Sequence, residues 1–137
     1  MMALEKIRVA DFTTMLAGAG VCRELADLGA DVIKIEPADG DSWRMLAGGF
    51  MGVNRGKRGV VIDLRKEEAR AIAHKLITTC DMVVENSRPG IMQKLGMDYE
   101  TIKKFKPDIL YISLPAFGSK GPDAERPGYD QIGRAHV

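Results

Sequence analysis

The sequence has 137 residues, 45% of them hydrophobic, 28% charged and 6% aromatic, with a formal net charge of +1. These values suit one ordinary globular domain; a disordered chain would carry fewer apolar residues, and a nucleic-acid binder more positive charge. No apolar run approaches the ~20 residues of a membrane helix, and residues 1–8 lack the apolar core and cleavage site of a signal peptide, so no membrane partner is expected.

In chain order, residues 7–12 read as a short strand. A loop over residues 13–17 leads to Gly18-Ala19-Gly20, and Val21, Leu25 and Leu28 then recur at helical spacing, with Gly29 as the natural stop. Residues 31–36 form a second strand that Pro37 ends, which completes a βαβ unit and implies a parallel pair. Residues 38–56 are polar and glycine-rich without a sustained period and are expected to form a long surface loop. Residues 60–64 are a third apolar run. Residues 67–79 form a helix with Ala69, Ile72, Leu76 and Ile77 on one face. Residues 82–86 are a fourth strand. Pro89 suits a first helical turn and Gly96 a stop. Asp98 is placed to cap one more short helix that turns Ile102 and Phe105 inward before Pro107. Residues 109–114 are a fifth strand, and residues 115–128 a loop rich in glycine and proline.

The final residues 132–137 (Ile-Gly-Arg-Ala-His-Val) translate the DNA string ATC GGA AGA GCA CAC GTC, a common sequencing-adapter sequence. The expectation is therefore a truncated α/β domain over residues 1–131 followed by a foreign tail, and His136 is set aside as a catalytic base.

Alternating strands and helices predict an α/β fold, a mainly parallel sheet with flanking helices, whose ligands bind beyond the carboxyl ends of the strands. The polar residues at those ends are Thr13, Thr14, Asn86, Ser87 and Arg88. Arg55, Lys57, Arg58, Arg65 and Lys94 flank them in sequence. Basic side chains near the free N–H groups of a helix start suit a polyphosphate, although each cation alone is more simply a solvated charge.

A dinucleotide site is the rival reading. Gly18 and Gly20 begin a G-x-G-x-x-G pattern, and Glu36 ends the next strand. Arg23 stands in place of the third glycine, however, and five residues separate the strand from Gly18. There is no P-loop, and Ser113 and Ser119 lack a nucleophile elbow. Cys22 and Cys80 are expected as packing residues; two cysteines are too few for a disulfide framework, which points to the cytoplasm. His74 is expected to be solvated, the methionines to fill the core, and no metal site is expected.

Six segments in order carry a family resemblance. They are residues 9–13 with 16–18, residues 26–37, residues 54–58, residues 62–64, residues 84–90, and residues 117–122 with 126–130. The sequence resembles the class III CoA-transferases, a family that includes formyl-CoA transferase, the carnitine and bile-acid CoA-transferases, and alpha-methylacyl-CoA racemase. The resemblance implies a Rossmann-like CoA-binding domain, an interlocked ring-shaped homodimer, acyl-CoA and a carboxylic acid as partners, and coenzyme A thioester as substrate with no permanently bound cofactor. It implies that Leu16 and Ala17 contact CoA, that Ile62, Asp63, Leu64 and Arg65 lie along the nucleotide, and that Asn86, Ser87 and Arg88 approach pantetheine and phosphate. Lys94 stands where relatives often carry a phosphate-binding arginine, and so keeps the charge but not the bidentate fork. Pro37 replaces a basic residue and Ser87 an aromatic one.

The family's transferases use an aspartate nucleophile that forms a mixed anhydride and then an aspartyl-CoA thioester. In relatives that aspartate lies beyond Asp130, so the 137-residue chain is expected to be inactive by itself. The racemase branch uses a histidine where this sequence has Tyr129. A tyrosine there, as in transferases, faces the acyl-CoA end; with a reference pKa of about 10 it is a poor base, which favours the transferase reading.

Overall fold

The computed structural model describes residues 2–128. Five strands, β1 (Arg8–Asp11), β2 (Asp31–Glu36), β3 (Arg58–Val61), β4 (Met82–Glu85) and β5 (Leu110–Ser113), form one parallel sheet in the order β3-β2-β1-β4-β5. Five helices connect them: α1 (Ala17–Asp27), α2 (Ala47–Asn54), α3 (Glu67–Thr78), α4 (Ile91–Leu95) and α5 (Tyr99–Ile102). A 3-10 turn, Ser42–Met45, precedes α2. The expected α/β architecture is therefore present.

Alternation along the strands sorts side chains between two cores. Val9, Val32 and Val84 pack with Cys22 of α1 on one face. Ala10, Ile35 and Val83 pack on the other with Ile77 of α3, Met97 and Ile102. The predicted stops hold: Gly29 follows α1 with φ 100°, and its N–H donates to Ala26 O at 2.9 Å. Asp98 caps α5 by accepting from Thr101 N at 3.2 Å, and Ile102 is fully buried. Gly96 closes α4, whereas Pro89 falls in the turn before that helix rather than in its first turn.

Four expectations need correction. Residues 38–56 are not a plain loop, since they contain the 3-10 turn and α2. The segment is poorly periodic, and ion pairs to the sheet hold it in place, so tertiary contacts override local propensity. β3 begins at Arg58 rather than Val60 and ends at Val61, because its register follows β2, with Ile33 opposite Arg58 and Glu36 opposite Val61. Ile62 and Leu64 turn into the core beneath α3 instead of continuing the strand. His74 is half-buried, with Nε2 2.8 Å from Gly96 O and its ring 4.9 Å from that of Phe105. Met92 and Met97 fill the core as expected, but Met45 is 92% exposed and Met51 66%.

Candidate active-site crevice at the switch point

From β1 the chain proceeds to β2 and β3 on one side, and β4 and β5 lie on the other. The carboxyl ends of β1 and β4 therefore form the switch point, where parallel sheets open a crevice. Two loops meet there. Asn86, just beyond β4, spends its whole amide on the β1 loop: Thr14 N donates to Oδ1 and Nδ2 donates to Thr14 O, both at 2.9 Å. Asn86 thus fastens one lip of the crevice to the other. Met15, Leu16 and Ala17 follow as an exposed tip, with Met15 at φ 59°. α1 starts within it, at Ala17, which brings first-turn N–H groups to the crevice mouth.

Beneath the tip lies a set of buried ions that the sequence reading passed over. Lys57 Nζ lies 2.8 Å from Asp11 Oδ2 and donates also to Ala19 O and Asn54 Oδ1, each at 2.9 Å. The two side chains of this pair are 2% and 0% exposed. Lys34 Nζ donates to Thr13 O at 2.8 Å and sits 2.9 Å from Asp41 Oδ2, an ion pair whose angle is too poor for a hydrogen bond. Asp11 and Lys34 interrupt otherwise apolar strands. A charge at such a position, on a sheet covered on both faces, is the signal that could have revealed them.

Most of the cations considered for phosphate binding are already paired. Arg55 bonds Asp27, Lys57 bonds Asp11, Arg58 bonds Asp31 and Arg65 bonds Asp63. Arg58 also lies at the wrong edge, because it shares Asp31 with Arg8 at the amino ends of the strands. Among the described residues no carboxylate pairs with Arg88 or Lys94, both of which are exposed. Of the segment beyond β3, Ile62 is buried, Leu64 packs on the core, and Asp63 and Arg65 bond one another at 2.7 Å. That contact with Arg65 holds the Asp63 carboxyl below the usual range. Ser87 and Arg88 line a cleft of about 320 Å³ with Gln93, Tyr99, Tyr111 and Ser113. Tyr129 lies outside the described residues, as do residues 130–137.

The dinucleotide reading loses its ribose ligand. Glu36 is buried and held by Arg44, whose Nε and Nη2 donate at 2.6 and 2.7 Å. Cys22 is no nucleophile: burial, and then the neighbouring Asp11, push its thiol up to about 12. Burial likewise raises Cys80, as expected of packing residues.

The Glu36–Arg44 pair predicts an acid response. The Arg44 hydrogen bonds hold the Glu36 carboxyl below its ordinary range despite burial. A lowered folded pKa gives stability that is present above the unfolded value of about 4.3 and is lost as pH falls through the folded one. Trp43, the single tryptophan, rests against Gly49 on this segment and reports its release. Its emission should shift to the red below pH ~4. In Glu36→Gln the red-shifted emission should already be present at neutral pH.

A family model described as CoA-transferase family III matches residues 4–137. The chain belongs to CoA-transferase family III. Among its relatives, the succinate–glutarate CoA-transferase of Agrobacterium fabrum is 38% identical over 94% of this chain and 36% of its own length. The acetyl-CoA:oxalate CoA-transferase of Acetobacter aceti is 41% identical over 93% of this chain and 35% of its own. The crystal structure of Rv3272 from Mycobacterium tuberculosis superposes with a TM-score of 0.94 at 40% identity, covering 98% of this chain and 38% of that one. The chain therefore spans little more than a third of the length of these members of CoA-transferase family III. The segments that carry the resemblance fall into two sets. Asp11, Lys34, Glu36 and Lys57 are buried in ion pairs, whereas Leu16, Ala17, Asn86, Ser87 and Arg88 border the crevice. No described helix is long and apolar enough to cross a membrane.

Proposed function

We propose that this chain is the CoA-binding amino-terminal part of an enzyme that moves CoA between an acyl-CoA thioester and a free carboxylic acid. Membership of CoA-transferase family III across nearly the whole chain carries this reading, and the crevice supports it. The exposed tip at Leu16 and Ala17, the helix start there, and Arg88 and Lys94, unpaired among the described residues, offer N–H groups and cations for the pantetheine and phosphates. Ser87, Tyr129 and the backbone of residues 62–65 complete the proposed contacts, with Asp63 and Arg65 as a ready-made pair beside the nucleotide.

In this reading an aspartate beyond residue 131 attacks the thioester carbonyl, giving a mixed anhydride and CoA thiolate. The thiolate attacks the aspartyl carbonyl and expels the donor carboxylate, leaving an aspartyl-CoA thioester. The acceptor carboxylate runs the two steps in reverse. The enzyme is a cytoplasmic, interlocked homodimer without a resident cofactor.

Two measurements on the enzyme carrying this chain test the proposal. Calorimetry should show CoA binding and NAD(H) should show none; the reverse result overturns the CoA site. Turnover of acyl-CoA should require a second carboxylic acid. Exchange of the alpha proton in deuterated water without any acid would overturn the transferase assignment in favour of the racemase one.

A further inference from the structure

Thr13 is a small residue whose every polar group is held by a buried charged residue. Its N–H and hydroxyl both donate to Asp11 Oδ1, at 2.8 and 2.5 Å, and its carbonyl accepts from Lys34 Nζ at 2.8 Å. Asp11 is fixed in turn by Lys57, and Lys34 by Asp41. Thr13 is 1% exposed, and its methyl lies against the backbone of Gly18, in the space a Cβ would need. The next residue, Thr14, has both backbone groups taken by Asn86. Only after these two immobilised residues does the chain enter the left-handed conformation at Met15, which disfavours a side chain and persists where surroundings over-determine it. No partner within the tip itself holds Met15 there; the fixed points lie just before it and in α1 just after.

We propose that Thr13 is a positioning residue for the acyl-CoA site: the two buried ion pairs clamp it, and the clamp sets the strained tip at Met15–Ala17. This rests on the reading that the tip contacts CoA. A pre-set tip spends no binding energy on ordering itself, and the loss of that pre-ordering weakens binding and turnover together. Sequence alone hides the device, because Thr13 looks like an ordinary loop residue while its partners lie 2, 21 and 46 positions away from one another or from it.

The test compares Thr13→Val with Thr13→Ser in the enzyme carrying this chain. Valine keeps the shape, the methyl and the backbone N–H bond to Asp11 but loses the hydroxyl donor, whereas serine keeps the hydroxyl and loses the methyl. Valine should speed amide hydrogen exchange at residues 14–17 and lower kcat/KM for acyl-CoA, each by about tenfold, the effect of one charge-assisted hydrogen bond. Serine should hold both within about threefold of the parent by the same measure. Lys34→Met combined with Asp41→Asn, which withdraws the donor from the Thr13 carbonyl without leaving Asp41 as an unpaired buried carboxylate, carries the valine expectation and serves if valine does not fold. Unchanged exchange in Thr13→Val, or equal losses in Val and Ser, overturns the clamp. If the parent enzyme has no affinity for acyl-CoA, the CoA reading fails, while the exchange comparison still decides whether Thr13 holds the tip.

Discussion

Replacing Lys57 with methionine should cost about 3–5 kcal/mol of folding stability, read from urea denaturation of the enzyme carrying this chain. The ammonium is enclosed and donates to three acceptors, on β1, on α1 and on α2. Methionine fills much of the same volume, so the loss is chiefly electrostatic: Asp11 is left as a buried carboxylate without a cation. The double variant Lys57→Met with Asp11→Asn removes that charge and should recover most of the loss, because an uncharged pair of similar shape is often as stable as a buried ion pair. Asparagine at position 11 can still accept from Thr13 through its oxygen. Strong non-additivity in this cycle is therefore the expected signature. A single Lys57→Met variant within about 1 kcal/mol of the parent would show that the pair is open to water, as surface pairs are.

The parts of this fold that were legible in the sequence are those specified locally. α1, α3 and α5 announce themselves through apolar spacing and through Gly29 and Asp98, although Val21, Leu28 and Ile72 of that spacing are exposed and Ala19, Cys22 and Ala73 lie on the buried faces. The parallel sheet follows from strands and helices that alternate. α2 is different. Its sequence offers three glycines among eight residues and no apolar stripe; the turn before it is pinned by Arg44 to Glu36 and Lys34 to Asp41, and its end by Lys57, which donates to Asn54 and to Asp11 on β1. Lys57 and Asp11 lie 46 positions apart, so no local window of the sequence contains both.

The candidate site divides in the same way. Of the positions at the crevice, residues 86–88 were readable because strand ends mark them in any parallel sheet, and residues 16–17 through the family resemblance. The state of their side chains was not. Asn86 reads as a polar group free to meet a ligand, yet both ends of its amide are occupied by Thr14. Five cations read as a phosphate field, yet Arg55, Lys57, Arg58 and Arg65 are neutralised by aspartates. Charge composition along the chain does not reveal pairing across the fold, so the lack of a carboxylate partner for Arg88 and Lys94 among the described residues is visible only in the structure.

Gly18→Ala should be the most damaging single-methyl change at the crevice. A Cβ at residue 18 would meet Thr13 Cγ2 at 2.6 Å, Thr13 Cβ at 2.7 Å and Asn86 Cγ at 3.1 Å. Neither neighbour is free to move aside, since Thr13 is bound to Asp11 and Lys34, and Asn86 is bound to Thr14. Either α1 retreats from the switch point or the loop is displaced, at a cost of about 1–3 kcal/mol. The tip at Leu16 moves with it, and CoA affinity should fall by at least about tenfold, given how steeply function depends on placement at this scale. Gly20→Ala is the internal control. It lies in the same helix, nothing stands within 4 Å of the added carbon, and exchanging glycine for alanine in a helix should stabilise the fold by about 0.5–1 kcal/mol. The opposite signs are decisive: if both substitutions stabilise the fold, the close approach of α1 to Thr13 and Asn86 does not exist in solution, and the crevice has a different shape.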